Sequence, residues 1–329
     1  MLASIQKIIS ISPIEGADKI EKARVLGWEC VVKKGIYHEG DLVVFVETDT
    51  KVPKKYLSDN PEDTELVRLT VVKMKGQISQ GLVLPLSILP EEIIPEEGLD
   101  VMELIGVEKY EKKIPQNMMG LLKGGFPNFI AKTDEVRIQS EPELIQKLWG
   151  LPFYITQKMD GTSCTIYNNG EVHVCSRNYE VGRSQQTYHE KNSNASENVY
   201  WRIVDKYNLE NIIPEGYYIQ GEIFGSGING NNMGLDGIEF NVFNVGIINT
   251  RRIPYPEIMM FCNDYGLKLV PVLLEHSNFQ ISIPELELLS NGFHYITNDS
   301  LQEGIVVRSF DQRISFKVIN PFYALKYKE

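Results

Sequence analysis

Lys158-Met159-Asp160-Gly161 closes an apolar run, Phe153 to Thr156, that reads as a β-strand. Residues i and i+2 of a strand share a face, so Lys158 and Asp160 can enter one pocket, and Gly161 lets a backbone approach a ligand. That pairs a candidate nucleophile with a carboxylate. Downstream, in order, come Ser176-Arg177-Asn178, Gly221-Glu222-Ile223-Phe224-Gly225, Phe240-Asn241-Val242-Phe243, Glu303-Gly304-Ile305-Val306-Val307-Arg308 and Ser315-Phe316-Lys317-Val318-Ile319. Each piece alone has a plain structural reading. Arg177 fits a hairpin surface charge, Glu222 a strand-end carboxylate, Phe243 a core residue, Glu303-Gly304 a turn and Lys317 an exposed strand position. Their joint order and spacing is what sets them apart. No GxGxxG or GxxxxGK[ST] phosphate loop occurs. His38, His173, His189, His276 and His294 lack metal spacing and read as stray surface or core residues. The four cysteines lack CxxC pairing, so they read as reduced, mostly buried thiols without structural zinc.

The elements that must carry these residues fall into two parts. Ala23 to Val52 alternates short β-type runs with turns such as Glu39-Gly40-Asp41, and Leu66 to Leu84 adds strands around Gly76 and Gly81. Some five strands in this span predict a small antiparallel, OB-like barrel, a shape often used to hold nucleic-acid strands. Pro115, Gly124-Gly125 and Pro127 mark a connector, giving domains at 1–110 and 134–329 with 111–133 between them. The second part mixes strands and helices. Ser140 to Glu143 predicts a capping box opening a helix through Leu148, closed by Gly150. A hairpin turns at Asn168-Asn169-Gly170, and helices are expected at Glu197 to Tyr207, Tyr255 to Tyr265 and Ile283 to Ser290, the last capped by Ser282 with Glu285. The class is therefore α+β, not a doubly wound sheet. The Tyr/Asn-rich stretch Gln185 to Tyr200 reads as a mobile loop near the site.

The chain has 329 residues, 43% hydrophobic and 23% charged, which is ordinary globular composition and excludes disordered and collagen-like classes. A net charge of −11 argues against a protein that coats nucleic acid by bulk electrostatics, though not against local basic grooves. Much of the acid lies in Asn60 to Glu65 and Glu91 to Glu111, read as exposed loops. Lys7 and Pro13 interrupt the N-terminal apolar residues, so no signal peptide or membrane span is expected, and the location expected is intracellular and cytoplasmic.

The ordered pieces from Lys158 to Lys317 resemble motifs I, Ia, III, IIIa, IV and V of the covalent nucleotidyltransferases, the superfamily of ATP-dependent polynucleotide ligases and capping enzymes. GEIFG, EGIVVR and SFKVIN look like the RNA ligase version, and ADKIEKARVLGWECVVKKG resembles the barrel of the fifth RNA ligase family. The resemblance implies an N-terminal OB domain followed by an ATP-grasp-like, ligase-type nucleotidyltransferase domain built on antiparallel sheets with flanking helices.

It further implies a reaction. Lys158 attacks the α-phosphate of ATP, releasing pyrophosphate and leaving lysyl-AMP. The AMP moves to an RNA 5′-phosphate, and an RNA 3′-OH displaces it to seal nicked or broken ends. Arg177 and Glu222 are implied to hold the ribose and phosphate side, and Phe243, in preference to Phe240, to stack on adenine. Val306 covers the opposite face, and Gln157 joins the nucleotide-binding set. Lys317 contacts the α-phosphate, and Arg137, in TDEVRIQS, lies beside the nucleotide. Asp160 and Glu303 are the carboxylates implied to organise Mg²⁺ or Mn²⁺. Neither a membrane nor an obligate protein partner is expected.

Physical chemistry suits these roles. A lysine attacks phosphorus only when uncharged, so burial and nearby cations must depress its pKa. A carboxylate bonded directly to Lys158 would act oppositely, which assigns Asp160 to the metal shell. Hard carboxylate oxygens suit Mg²⁺ or Mn²⁺. Two departures stand out. Ile319 occupies the place of a second motif V lysine, leaving Lys326 or Lys328 to replace it. The chain also stops soon after motif V, so RNA would fall to barrel residues such as Lys33, Lys34, Arg68, Lys73 and Lys75. The alternatives are a capping-enzyme or DNA-ligase relative, or a non-catalytic RNA-binding protein with a degenerate ligase domain. The complete charged set argues against the last, because a relic has no reason to retain charges that are costly to bury.

Overall fold

The computed structural model describes residues 1–112, 116–183, 198–297 and 299–327. They form two compact units. One comprises Met1–Lys112, Arg137–Glu143 and Ile319–Glu329, the other Lys113–Val136 and Leu144–Val318. The boundary therefore differs from a single connector at 111–133. Leu122–Gly125, inside that stretch, is a strand that pairs with Tyr179–Val181 in the second unit, and Arg137–Glu143 returns to the first.

In the first unit, five antiparallel strands lie in the order Trp28–Lys33, Ile20–Val25, Ala3–Pro13, Leu42–Glu47, Gly81–Leu84. The sheet curls until its edges meet. Ser79 Oγ accepts from Val31 N at 2.9 Å, and Gln80 N donates to Glu29 O at 2.9 Å, nearly closing an OB-like barrel. Leu42–Glu47 shows why the middle strand is apolar throughout. Alternate side chains point to opposite faces, so Val44 and Val46 enter one core cluster while Val43 and Phe45 enter another with Trp28. The acidic stretch after Glu91 keeps its glutamates exposed, but Val101, Ile105 and Val107 are buried in the barrel core.

The second unit holds two sheets. Six strands run in the order Leu122–Gly125, Tyr179–Val181, Val172–Cys175, Thr162–Asn168, Tyr217–Gly225, Ile238–Ile247. Four run in the order Val272–His276, Phe153–Lys158, Gly304–Ser309, Ser315–Ile319. The hairpin turns where expected, with Asn168 Oδ1 accepting from Gly170 N. Helices span Leu144–Leu148, Val199–Lys206, Tyr255–Asp264 and Ile283–Ser290, the last with the Ser282/Glu285 capping box. Glu197, most of the Tyr/Asn-rich stretch, His189 and Lys328 lie outside the described residues. No helix among the described residues is long and apolar enough to cross a membrane.

The core of this unit packs Ile203, Val204, Ile258 and Cys262 from helices against Ile219, Ile223, Phe240 and Val242 of the larger sheet. Gly221 sits at its tightest point. A Cβ there would lie 2.5 Å from both the Asn241 carbonyl oxygen and the Phe240 ring. The neighbouring register jumps from Gln220↔Asn244 to Gly221↔Val242, leaving Phe243 unpaired in a bulge that re-aims it away from Phe240. Gly221→Ala must therefore move backbone. It is expected to destabilise the protein by about 2 kcal/mol, the usual size of overpacking, read as a lower urea midpoint at unchanged slope.

Candidate active site

Lys158 ends its strand directly opposite Gly304 in the antiparallel register. That register brings Glu303 to the lysine, and the Lys158 ammonium forms an ion pair with the Glu303 carboxylate. Both are largely withdrawn from solvent, with side-chain exposures of 25% and 10%. Beyond Lys158 the backbone leaves the sheet. Met159 is buried in an apolar cluster with Phe224, Met233 and Val270, while Asp160 is 6% exposed. Its Oδ1 accepts from Asn229 Nδ2 at 3.1 Å and its Oδ2 from Asn232 Nδ2 at 2.7 Å. Gly161 permits this course, because a Cβ would collide with the Ile223 carbonyl and meet Glu222 Cγ at 2.8 Å. Of the two carboxylates expected to organise a metal, Glu303 takes the amine and Asp160 takes the amides.

Glu222, on Tyr217–Gly225 opposite Ser163 and Asn241, is the third acid. Burial pushes its carboxyl up to about 8. Lys158 pulls it down, Glu303 and Asp160 add to the rise, and Arg177 opposes them. These five charged groups thus act on one another across one small region. Arg177 itself is half exposed and bridges to Asp134 at 2.7 Å.

Phe243 is partly buried against the Met159 cluster, whereas Phe240 is core. The Arg308 guanidinium stands over the Phe243 ring, 5.7 Å from its centroid. Arg308 is held in turn by Glu135 at 2.9 Å; burial works to raise the Glu135 carboxyl, but Arg308 and Arg252 outweigh it and hold it below the usual range. Val306 is buried opposite Thr156. Lys317 lies in the same sheet as Lys158, and its backbone N–H donates to Val136 O at 2.8 Å.

Two expected nucleotide ligands have other partners. The Gln157 amide donates to Phe293 O at 2.9 Å and Gln302 Oε1 at 2.7 Å and accepts from Tyr295 N, so it pins the segment before the Glu303 strand. Arg137 belongs to the first unit, where Asp49 and Thr48 Oγ1 engage its guanidinium and Trp28 lies beneath it. Sequence reasoning assigned no role to Asn229, Asn232, Arg308 or Glu135. The Asn229-Gly230-Asn231-Asn232 run was the available signal for the first pair. Burial lowers His294 to about 4, against the opposing charge of Asp160, which leaves it a neutral core histidine.

Among the described residues no cluster of three or more His, Cys, Asp or Glu side chains forms a ready-made metal cage. Asp160 and Glu303, which both act on Glu222, nevertheless supply hard oxygens to one region. Mg²⁺ characteristically takes one or two carboxylates and completes its shell with phosphates and water, so this donor set fits a cation that arrives with a phosphate ligand.

Comparison with known proteins follows the same division. An RNA ligase family model matches residues 151–319, and an OB-fold domain model matches residues 2–86. Among solved structures, a variant of a Naegleria gruberi RNA ligase with ATP and Mn is similar at 30% identity and TM-score 0.87, covering 100% of this chain and 99% of that one. The same ligase with PPi gives 31% and 0.86, covering 99% and 98%, and a variant with AMP and Mn gives 30% and 0.86, covering 99% of each. No curated protein sequence matches.

The Glu222 carboxyl carries a pH signature. The folded protein keeps its proton up to about pH 8, whereas the group's ordinary value is 4.5. Between those limits the native state binds more protons than the unfolded chain, so this group's contribution to stability is full below the lower limit and is lost as pH rises through the upper one. Denaturation of wild type and Glu222→Gln from pH 5 to 9 is expected to show wild type losing stability relative to the variant towards pH 8.

Proposed function

Because this chain belongs to the RNA ligase family, we propose that it joins RNA 3′-OH and 5′-phosphate ends with ATP, using Lys158 as the adenylylated nucleophile. The observation that carries this reading is the withdrawn Lys158 amine at a strand end, paired with Glu303 and electrostatically coupled to Glu222. The solved variants of the Naegleria gruberi ligase support it. They replace a lysine and, two positions on, an aspartate, and also a glutamate and a later lysine, at the intervals separating Lys158 from Asp160 and Glu303 from Lys317.

In the resting protein Glu303 favours the charged lysine, so the proton must leave Nζ before attack. The paired Glu303 oxygen is placed to receive it. The Nζ lone pair then forms the N–P bond as the bond from the α-phosphorus to pyrophosphate breaks. Lys317 and Arg177 stabilise the phosphate oxygens, the main catalytic demand of phosphoryl and nucleotidyl transfer. Asp160 and Glu303 would hold Mg²⁺ or Mn²⁺, which would supply further positive charge there. Glu222, neutral below about pH 8, can donate a hydrogen bond to a ribose hydroxyl as well as accept one. Phe243, backed by Arg308, offers its other face to adenine, with Val306 closing the pocket. An oxygen of the RNA 5′-phosphate next attacks the AMP phosphorus, breaking the N–P bond and returning a proton to Nζ. The RNA 3′-OH finally displaces AMP from the activated end.

A non-catalytic RNA binder would have no need to keep Lys158, Asp160, Glu222 and Glu303 together out of solvent. Incubation with α-labelled ATP and Mn²⁺ is expected to label the protein covalently, with Lys158→Ala reducing the label more than about 10³-fold, and the wild type is expected to seal an RNA nick. A Lys158→Ala protein that still takes up label would rule out this nucleophile.

A further inference from the structure

The turn that follows Gly225 is built around Asp160. Asn229, Gly230 and Asn231 have φ values of +42°, +76° and +50°, three successive residues in the left-handed region that side chains rarely adopt. Asparagine is the side chain that best tolerates it. The strain is held by local ties: Asn231 Oδ1 accepts from Leu235 N at 3.1 Å, Asn231 Nδ2 donates to Leu235 O at 2.9 Å, and Ser226 Oγ donates to the same carbonyl at 2.7 Å. Met233 is 3% exposed and packs in the cluster that contains Met159, the residue between Lys158 and Asp160. The turn is thus anchored beneath the nucleophile, and its two amides reach the two oxygens of one carboxylate. Asn229 Nδ2 also donates to the Gly161 carbonyl at 2.6 Å, fixing the backbone beyond Asp160.

We propose that Asn229 and Asn232 are positioning residues for Asp160, a function of the 226–235 turn that rests on the ligase reading above. Asp160 lies past the end of its strand, where no ladder fixes its side chain. One amide on each oxygen sets the plane of the carboxylate and leaves each oxygen a second lone pair for a divalent cation or its water. The amides also hold Asp160 in its own place, leaving Glu303 as the lysine's ion-pair partner. Strained backbone that persists because its surroundings over-determine it is a recurrent mark of such sites.

Asn232 is the clean position to test, because its φ of −57° is ordinary and alanine adds no backbone strain. Single-turnover formation of the labelled protein is measured in wild type, Asn232→Ala, Asp160→Asn and the double variant, with Mn²⁺ affinity of the nucleotide-free proteins read by electron paramagnetic resonance. Asn232→Ala is expected to slow labelling at saturating ATP by about tenfold or more, the usual effect of losing an outer-shell partner, with KM for ATP within about twofold and weaker Mn²⁺ binding. In the Asp160→Asn background it is expected to change the rate by less than about twofold, because the two residues act as a unit. Asn232→Ser, which also lacks the amide, is expected to behave as Asn232→Ala does. Equal losses in both backgrounds, a rate unchanged by Asn232→Ala, or unaltered Mn²⁺ affinity would each overturn the proposal. A wild-type protein that takes up no label would instead defeat the ligase reading itself.

Discussion

The amine proposed above as the nucleophile sits among acids, which favour its charged form. The antiparallel register that sets Lys158 opposite Gly304 fixes the terms of that conflict, because it puts Glu303 at the lysine before any ligand binds. Sheet pairing spans Thr156 to Lys158 against Gly304 to Val306, so the lysine, its carboxylate partner and the buried Val306 are placed by one set of backbone hydrogen bonds. A one-residue slip would turn each of these side chains to the other face. The apolar character of Phe153 to Ile155 and Ile305 to Val307, buried on both faces, therefore positions the proposed site as well as filling the core.

The larger sheet supplies the rest by two irregularities. Gly161 and Gly221 allow backbones to approach where any side chain would collide, and the bulge at Phe243 turns one aromatic out of the core while Phe240 stays in it. The Arg308 guanidinium then covers one face of Phe243, and Glu135 holds Arg308 in place although both are buried. An ion pair so deeply buried adds little to stability, since desolvation offsets attraction, but it specifies where the guanidinium stands.

Local chemistry made much of this legible in the sequence. The Asn168-Asn169-Gly170 hairpin and the Ser282/Glu285 capping box depend on neighbours a few residues away, and the structure has both. The Lys158-to-Lys317 series was legible through its order, which resembles the motifs of the covalent nucleotidyltransferases. Features set by distant contacts were not. The strand Ala3–Pro13 was hidden because the alternation of Ala3-Ser4-Ile5-Gln6 breaks at Lys7-Ile8-Ile9, where the register against Ile20–Val25 shifts between Ile8 and Ser10. Leu122–Gly125 reads as a glycine-rich connector until its partner, Tyr179–Val181, is known. Arg137 finds Asp49 across 88 positions, and the asparagine amides reach Asp160 across about 70, separations at which residue spacing carries no information.

Three carboxyl groups in one withdrawn site cannot all remain uncompensated anions. The structure resolves them in three different ways. Glu303 is matched by the lysine's charge, Asp160 by two neutral amides, and Glu222 keeps its proton to about pH 8. On the reading proposed above, Arg177, which acts on Glu222 from the same region, and Lys317 supply cations that a polyphosphate needs. On that reading, a bound cation and nucleotide would weaken the hold of the carboxylates on the lysine's proton, tying nucleophile activation to occupancy of the site.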